Sequence, residues 1–448
     1  MSSTAAWQLF WGLLTLIALY VLASGARRTV AIGVLLVLIP FQFVDTRYAT
    51  SSVLMAYALA VILLINGGLR VRMLLPLGLI LLAYFVSLAF AGRELMSYHI
   101  IFVFQFTSCL VVFLLAYNFA RLVESERSII DVLLLMNVLV GIYCVLQLTA
   151  GPGEGFVPFG IEEFRFNPNR EASDPRLTGP FKNAGTTAAY FMLMTLVAAV
   201  EMVFSQGSRR RLVQFLIVLN LVGLVATANR GAFLTLLVFF PVMLFAFRRE
   251  LGPKVIVAYL IGGVAVLAIA SLIVVAYTDF GQMYDRLGQV TETEDGVPTT
   301  RADTWPVAIE KIKKDPWLGE GPYFPTEETA EEMGWARSSM DPFPHSLYLY
   351  LLRTVGVLGL AAVIGFFLHA WLVLWYARRR PGLGRYQSAL VRLGLMLIAA
   401  FLVEQIRLEF NRLETMDYGH FIFALVGLFV GGSDRDGGPA VVAVPRNG

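Results

Sequence analysis

Long apolar runs separated by short polar breaks occupy most of the chain. Candidate spans fall at about 6–24, 29–44, 50–66, 73–91, 98–120, 128–149, 184–204, 212–228, 231–247, 254–277, 346–376, 387–404 and 418–432. Runs of about 17–25 apolar residues are long enough to cross roughly 30 Å of hydrocarbon as helices. Two long polar stretches interrupt the series, Gly151–Asn183 and Thr278–Pro344. In the second, Arg301, Trp305, Ala308 and Ile312 recur at i, i+4, i+7 and i+11, which is one face of a helix. That helix is expected to stop at Asp315-Pro316, and Gly319-Glu320-Gly321-Pro322 reads as a turn. The Glu327–Glu332 run reads as a solvated face. The chain returns to an apolar helix through Pro344-His345-Ser346-Leu347-Tyr348-Leu349.

Composition sharpens this pattern. The 448 residues are 57% hydrophobic and only 15% charged, where a soluble domain carries about a quarter charged. The expected fold is an all-α polytopic integral membrane protein of about 12–13 transmembrane helices, with two long loops, the larger partly helical. The run starting near Trp7 lacks a preceding basic region and a small-residue cleavage site, so it reads as a retained span. Cys109 and Cys144 both fall inside apolar runs and read as small core residues. The net charge of +3 comes from short basic clusters between spans and implies no nucleic-acid partner.

Those clusters orient the chain. Arg27-Arg28, Arg70/Arg72, Arg121/Arg127, Arg209-Arg210-Arg211, Arg248-Arg249/Lys254 and Arg378-Arg379-Arg380/Arg385 occupy one set of alternate loops. The other set holds isolated arginines beside acids, as with Asp45/Arg47, Arg93/Glu94, and Arg407/Arg412 among Glu404, Glu409 and Glu414. The first set is expected in the cytoplasm, and both long loops then face outward. The organisation becomes 1–150 N-terminal spans, 151–183 outer loop, 184–277 spans with an Arg230 hairpin, 278–345 large outer loop, 346–432 C-terminal spans, and 433–448 a disordered cytoplasmic tail.

Several residues stand where chemistry is possible. Leu212–Ala228 and Gly231–Phe247 are short arms that predict a tight hairpin with Asn229-Arg230-Gly231 at its outer tip. Arg230 there is either a snorkelling interfacial arginine or an anion-binding guanidinium facing a cavity. His345 stands at the junction of the outer loop with a span. It is either a capping residue or a base that takes a hydroxyl proton. Gly356 and Gly359 on the following helix are expected to permit close helix packing. Arg301, Arg337, Arg353, Lys182 and Arg176 are further outward cations, and together they suit a diphosphate. The sequence contains no Walker loop, zinc spacing or Gly-x-Ser-x-Gly.

Thr227-Ala228-Asn229-Arg230-Gly231-Ala232-Phe233 resembles the Ser-Arg-Gly-Ala motif of the O-antigen ligase/polymerase family. Arg301…Trp305 through Asp315-Pro316-Trp317-Leu318-Gly319-Glu320-Gly321-Pro322 resembles its Arg…Trp…Pro-Leu-x-Gly-x-Gly segment, and Pro344-His345-Ser346-Leu347-Tyr348-Leu349 with Gly356 and Gly359-Leu360 its His-Asn-x-Tyr-Leu…Gly…Gly-Leu segment. Gly179-Pro180-Phe181-Lys182-Asn183 is a weaker fourth match. Asn229 departs from the usual Ser, and Ser346 from the usual Asn.

The resemblance implies a helical membrane glycosyltransferase of the GT-C-like kind, in the bacterial inner membrane with its site facing the periplasm. It would take a glycan from a polyprenyl-diphosphate donor to a hydroxyl of lipid A-core (a ligase) or of another lipid-linked glycan (a polymerase), with no metal or other cofactor. His345, Arg230 and Arg301 would be catalytic, with Trp305, Lys182, Arg176, Arg337 and Arg353 around the substrate. A transporter or lipid flippase and an inactive assembly partner are the rival readings. The first would show charges near mid-span and matched broken helices.

Overall fold

A computed structural model of the chain describes residues 28–42, 48–66, 69–70, 73–150, 176–254, 304–325, 341–408 and 415–434, with isolated positions between 256 and 334. The apolar runs form α1 (Arg28–Leu38), α2 (Ser51–Ile65), α3 (Leu74–Phe90), α4 (Met96–Leu122) and α5 (Arg127–Ala150). They continue as α6 (Ala184–Phe204), α7 (Gly207–Ala226) and α8 (Arg230–Ala246). A polar helix, α9 (Trp305–Lys314), precedes α10 (Leu347–Ala377), α11 (Arg385–Glu404) and α12 (Met416–Ser433). The β structure among the described residues is one two-residue antiparallel pair, Thr293–Glu294 with Val297–Pro298. Of the expected spans, 6–24 and most of 254–277 lie outside the described residues, and each of the others holds a helix.

Among the described residues, six helices are long and apolar enough to cross a membrane, and α1, α2, α3 and α8 are shorter apolar helices. The chain is an all-α, multi-pass membrane protein. Its most extensive helix contact joins α4 to α12. A Cβ on Gly427 would lie 2.4 Å from the Phe113 carbonyl oxygen, and one on Gly431 2.3 Å from that of Tyr117, so only glycine lets the two backbones approach this closely. Buried His420 ties the same pair together through a 2.6 Å hydrogen bond between its Nε2 and Ser108 Oγ. Both cysteines are buried and unpaired by disulfide, as expected. The arms of the predicted hairpin do turn between Ala226 and Arg230. However, α7 packs chiefly on α6, and α8 on α6 and α11, rather than on each other.

The largest departure from expectation is in α10. Gly356 does not serve helix packing. Its φ of 65° and ψ of −169° break the helix, in a region of backbone space that is essentially glycine's alone. The Pro316–Gly321 stretch lies across the break and satisfies the backbone groups it releases. Glu320 N–H donates to the Arg353 carbonyl and Gly321 N–H to that of Thr354, each at 2.9 Å. On the far side, Val357 N–H donates to the Pro316 carbonyl at 2.8 Å and Leu358 N–H to that of Trp317 at 3.4 Å. A Cβ on Gly356 would meet the Trp317 carbonyl at 2.2 Å. Unpaired backbone groups at membrane depth are costly, so the expected Gly-rich turn is a plug for a broken helix. Tyr323 N–H donates to His99 Nδ1 at 3.0 Å, which fixes the far end of that plug to the start of α4.

Candidate functional site

Three short turns at one end of the bundle carry the sequence motifs, and each contains a residue under backbone strain. Among the described residues, the non-glycine positions with positive φ are Met73, Lys182 (56°), Ala228 (50°) and His345 (45°). The last three lie in the turns before α6, α8 and α10. Such conformations persist only where the surroundings enforce them, and they concentrate at functional sites.

The enforcement is visible in each turn. Before α6, Gln147 Nε2 donates to Thr178 Oγ1 and Gly179 N–H donates to Gln147 Oε1, both at 2.9 Å. Asn183 then caps α6 by accepting from Gly185 N–H at 2.8 Å and Thr186 N–H at 3.1 Å. Leu177 N–H reaches the Ala226 carbonyl at 3.0 Å and so ties this turn to the next. Before α8, Asn229 caps by accepting from Ala232 N–H at 3.0 Å. An asparagine can cap as well as a serine, so the Asn229 departure preserves the local structure and leaves Arg230 as the first residue of α8. Before α10, Trp305 Nε1–H donates to the Pro344 carbonyl at 2.9 Å and holds the residue next to His345.

All three turns meet the stretch that ends α11. Leu347 N–H donates to the carbonyls of Gln405, at 2.9 Å, and Leu408, at 3.0 Å. A Cβ on Gly185 would come within 2.8 Å of Leu408 and 3.5 Å of the Asn229 amide nitrogen. A Cβ on Gly231 would come within 3.1 Å of Glu404 Oε1 and 3.5 Å of Arg407 Cδ. Residues 404–408 therefore touch the three turns that carry Lys182, Arg230 and His345. Glu404 is buried there, and its Oε2 accepts a 2.6 Å hydrogen bond from Thr235. Lys182 and Arg407 are exposed, while Arg176, Arg230, Trp305 and His345 are half-buried.

Arg353 stands apart from this group. It is 4% exposed and is committed to two carboxylates, Glu320 at 3.0 Å and Asp341. Its guanidinium also lies 4.4 Å from the Phe324 ring centroid. An anion-holding role was expected of it, but its charge is already neutralised by the fold. Lys311 of α9 joins the cluster, 3.1 Å from Asp341 and 3.6 Å from Glu320. The hydrogen bond to Asp341 raises the Lys311 ammonium above its ordinary pKa despite partial burial. Burial alone would raise the Asp341 carboxyl, but hydrogen bonds from Lys311 and Arg353 outweigh it and hold the group below its ordinary value. The cluster fastens α9, and with it Trp305, to the first half of α10. Arg301 and Arg337 lie outside the described residues. Glu404, Arg407 and His99 carry contacts that the sequence reading did not single out. An acid and an arginine at i and i+3, at the end of an apolar run, were the available signal for the first two.

Fold and site together define a multi-pass membrane protein whose turns hold cations and a histidine around one point at the end of the bundle. Residues 215–364 match the family model described as O-antigen ligase. That range covers the Arg230 tip, α9, the plug over the α10 break and His345. Over those residues the chain is similar to the O-antigen ligase family, which supports an O-antigen ligase/polymerase-like function in general. No curated protein matches the chain.

Proposed function

We propose that the protein transfers a glycan from a polyprenyl-diphosphate donor to an acceptor hydroxyl at the outer face of a bacterial inner membrane. The observation that carries this reading is the convergence of the Lys182, Arg230 and His345 turns on residues 404–408. Breaking a sugar–diphosphate bond needs the charge that develops on the leaving group to be neutralised. Arg230 does this from a capped helix start, with little reorganisation. The reaction needs no metal for that step. His345 accepts the proton of the acceptor hydroxyl, which is a weak nucleophile until it is deprotonated. Attack in line with the departing diphosphate inverts the anomeric carbon, and an NMR spectrum showing a retained anomer would exclude that geometry. Arg301 belongs to the same cationic set by its resemblance to the family motif, as do Arg176 and Arg337 by charge.

The outward orientation rests on charge. Arg28, Arg121, Arg127, Arg209 and Arg378 sit at the helix ends opposite the site, and loops rich in Lys and Arg stay in the cytoplasm. Lipid A-core is the acceptor in the ligase form of the reading, and a second lipid-linked glycan in the polymerase form. Purified protein in proteoliposomes, given a polyprenyl-diphosphate oligosaccharide and EDTA, separates them. Product formed only when lipid A-core is supplied identifies a ligase, and a ladder formed without it identifies a polymerase. No product with the native donor and folded protein would overturn the reading in favour of a transporter or an assembly partner.

A further inference from the structure

We infer that Arg407 is a further diphosphate-binding guanidinium, paired with Arg230 across the Gly231 turn. The inference rests on the transfer reading above and adds a residue to its donor site. Gly231 directly follows Arg230 and leaves open the space into which Arg407 packs. A side chain at that position would come within 3.5 Å of Arg407 Cδ and 3.1 Å of Glu404 Oε1. The Arg407 side chain therefore runs alongside the start of α8. Its position is set by the backbone, since Arg407 N–H donates to the Glu404 carbonyl at 3.0 Å. The next residue, Leu408, accepts from Leu347 N–H at 3.0 Å and so links the same turn to the His345 junction.

The neighbouring charges favour an external anion. Glu404 is the closest acid in sequence, but its Oε2 is engaged by Thr235 at 2.6 Å and its Oε1 faces the Gly231 backbone. Among the described residues, Glu404 attracts Arg407 electrostatically but its hydrogen bond comes from Thr235, whereas buried Arg353 is held by two carboxylates. Arg407 is exposed at the end of the bundle. Two guanidinium groups on adjoining turns match a diphosphate, whose two phosphoryl groups each accept forked hydrogen bonds. A lone monophosphate would need only one of them.

The test uses wild type, Arg407→Gln and Arg407→Lys in phosphatidylcholine nanodiscs. Binding of farnesyl diphosphate and farnesyl monophosphate is measured, together with the KM for the lipid-linked donor in transfer. Loss of one charge-assisted contact is expected to weaken diphosphate binding and raise donor KM by about tenfold or more. Monophosphate binding should change less, and Arg407→Lys should recover part of the loss. Wild-type affinity and donor KM in Arg407→Gln would overturn the role of Arg407 and leave the transfer reading intact. Equal losses for both phosphates would overturn the pairing. Wild type that neither binds a diphosphate nor transfers would remove both.

Discussion

At the scale of single residues, His345 is held in a strained backbone conformation by bonds on both sides. Its left-handed backbone is held between the Pro344 carbonyl, bonded to Trp305, and Leu347 N–H, bonded to Gln405 and Leu408. Trp305→Phe keeps an aromatic ring, though a smaller one, and loses the N–H donor. It should lower kcat/KM by about fivefold, the equivalent of one hydrogen bond of about 1 kcal/mol, while global stability changes little. Wild-type kinetics in this variant would show that the Trp305 bond does not position His345. The junction residue itself was legible in the sequence, because a histidine between a polar loop and an apolar run is conspicuous. The committed state of Arg353 was not. Nothing local to Arg353 reveals that Glu320 and Asp341 reach it, because those contacts join segments brought together only by folding.

At the scale of elements, sequence reasoning located most helices and the end of α9 at Asp315, since periodicity and proline both act locally. It misread Gly356, because a glycine in a helix looks the same whether it serves packing or a break. Gly356→Ala places a side chain in a glycine-only region, at about 1–3 kcal/mol for the backbone alone, and against the Trp317 carbonyl. A marked loss of thermal stability and of activity is expected in a melting curve and a transfer assay. A variant that melts like wild type would show that the break is dispensable.

The cluster linking α9 to α10 also fixes a pH range. Asp341 titrates below its ordinary value of 3.8, so its stabilisation is complete above that value and is lost as pH falls through the lower folded pKa. Lys311 titrates above 10.5, so its contribution is complete below that value and is lost as pH rises through the higher folded pKa. Stability of this joint should therefore stay flat from about pH 5 to pH 9. A midpoint shift in melting between those limits that disappears in Asp341→Asn would contradict it.

At the scale of the whole molecule, the described helices alternate so that basic clusters collect at one end and the turns of Lys182, Ala228 and His345 at the other. The membrane class and this alternation were readable from composition and charge. The meeting point at residues 404–408 was not, because it joins four helix ends that lie far apart in sequence. In the proposed reaction, this meeting point forms one reactive site with His345 as its base. The most direct measurement is single-turnover transfer from a polyprenyl-diphosphate oligosaccharide by wild type and His345→Ala, with donor binding measured on the same samples. Loss of general-base catalysis should slow transfer by about a hundredfold or more while donor binding stays near wild type. Transfer at the wild-type rate in folded His345→Ala would show that His345 is not the base.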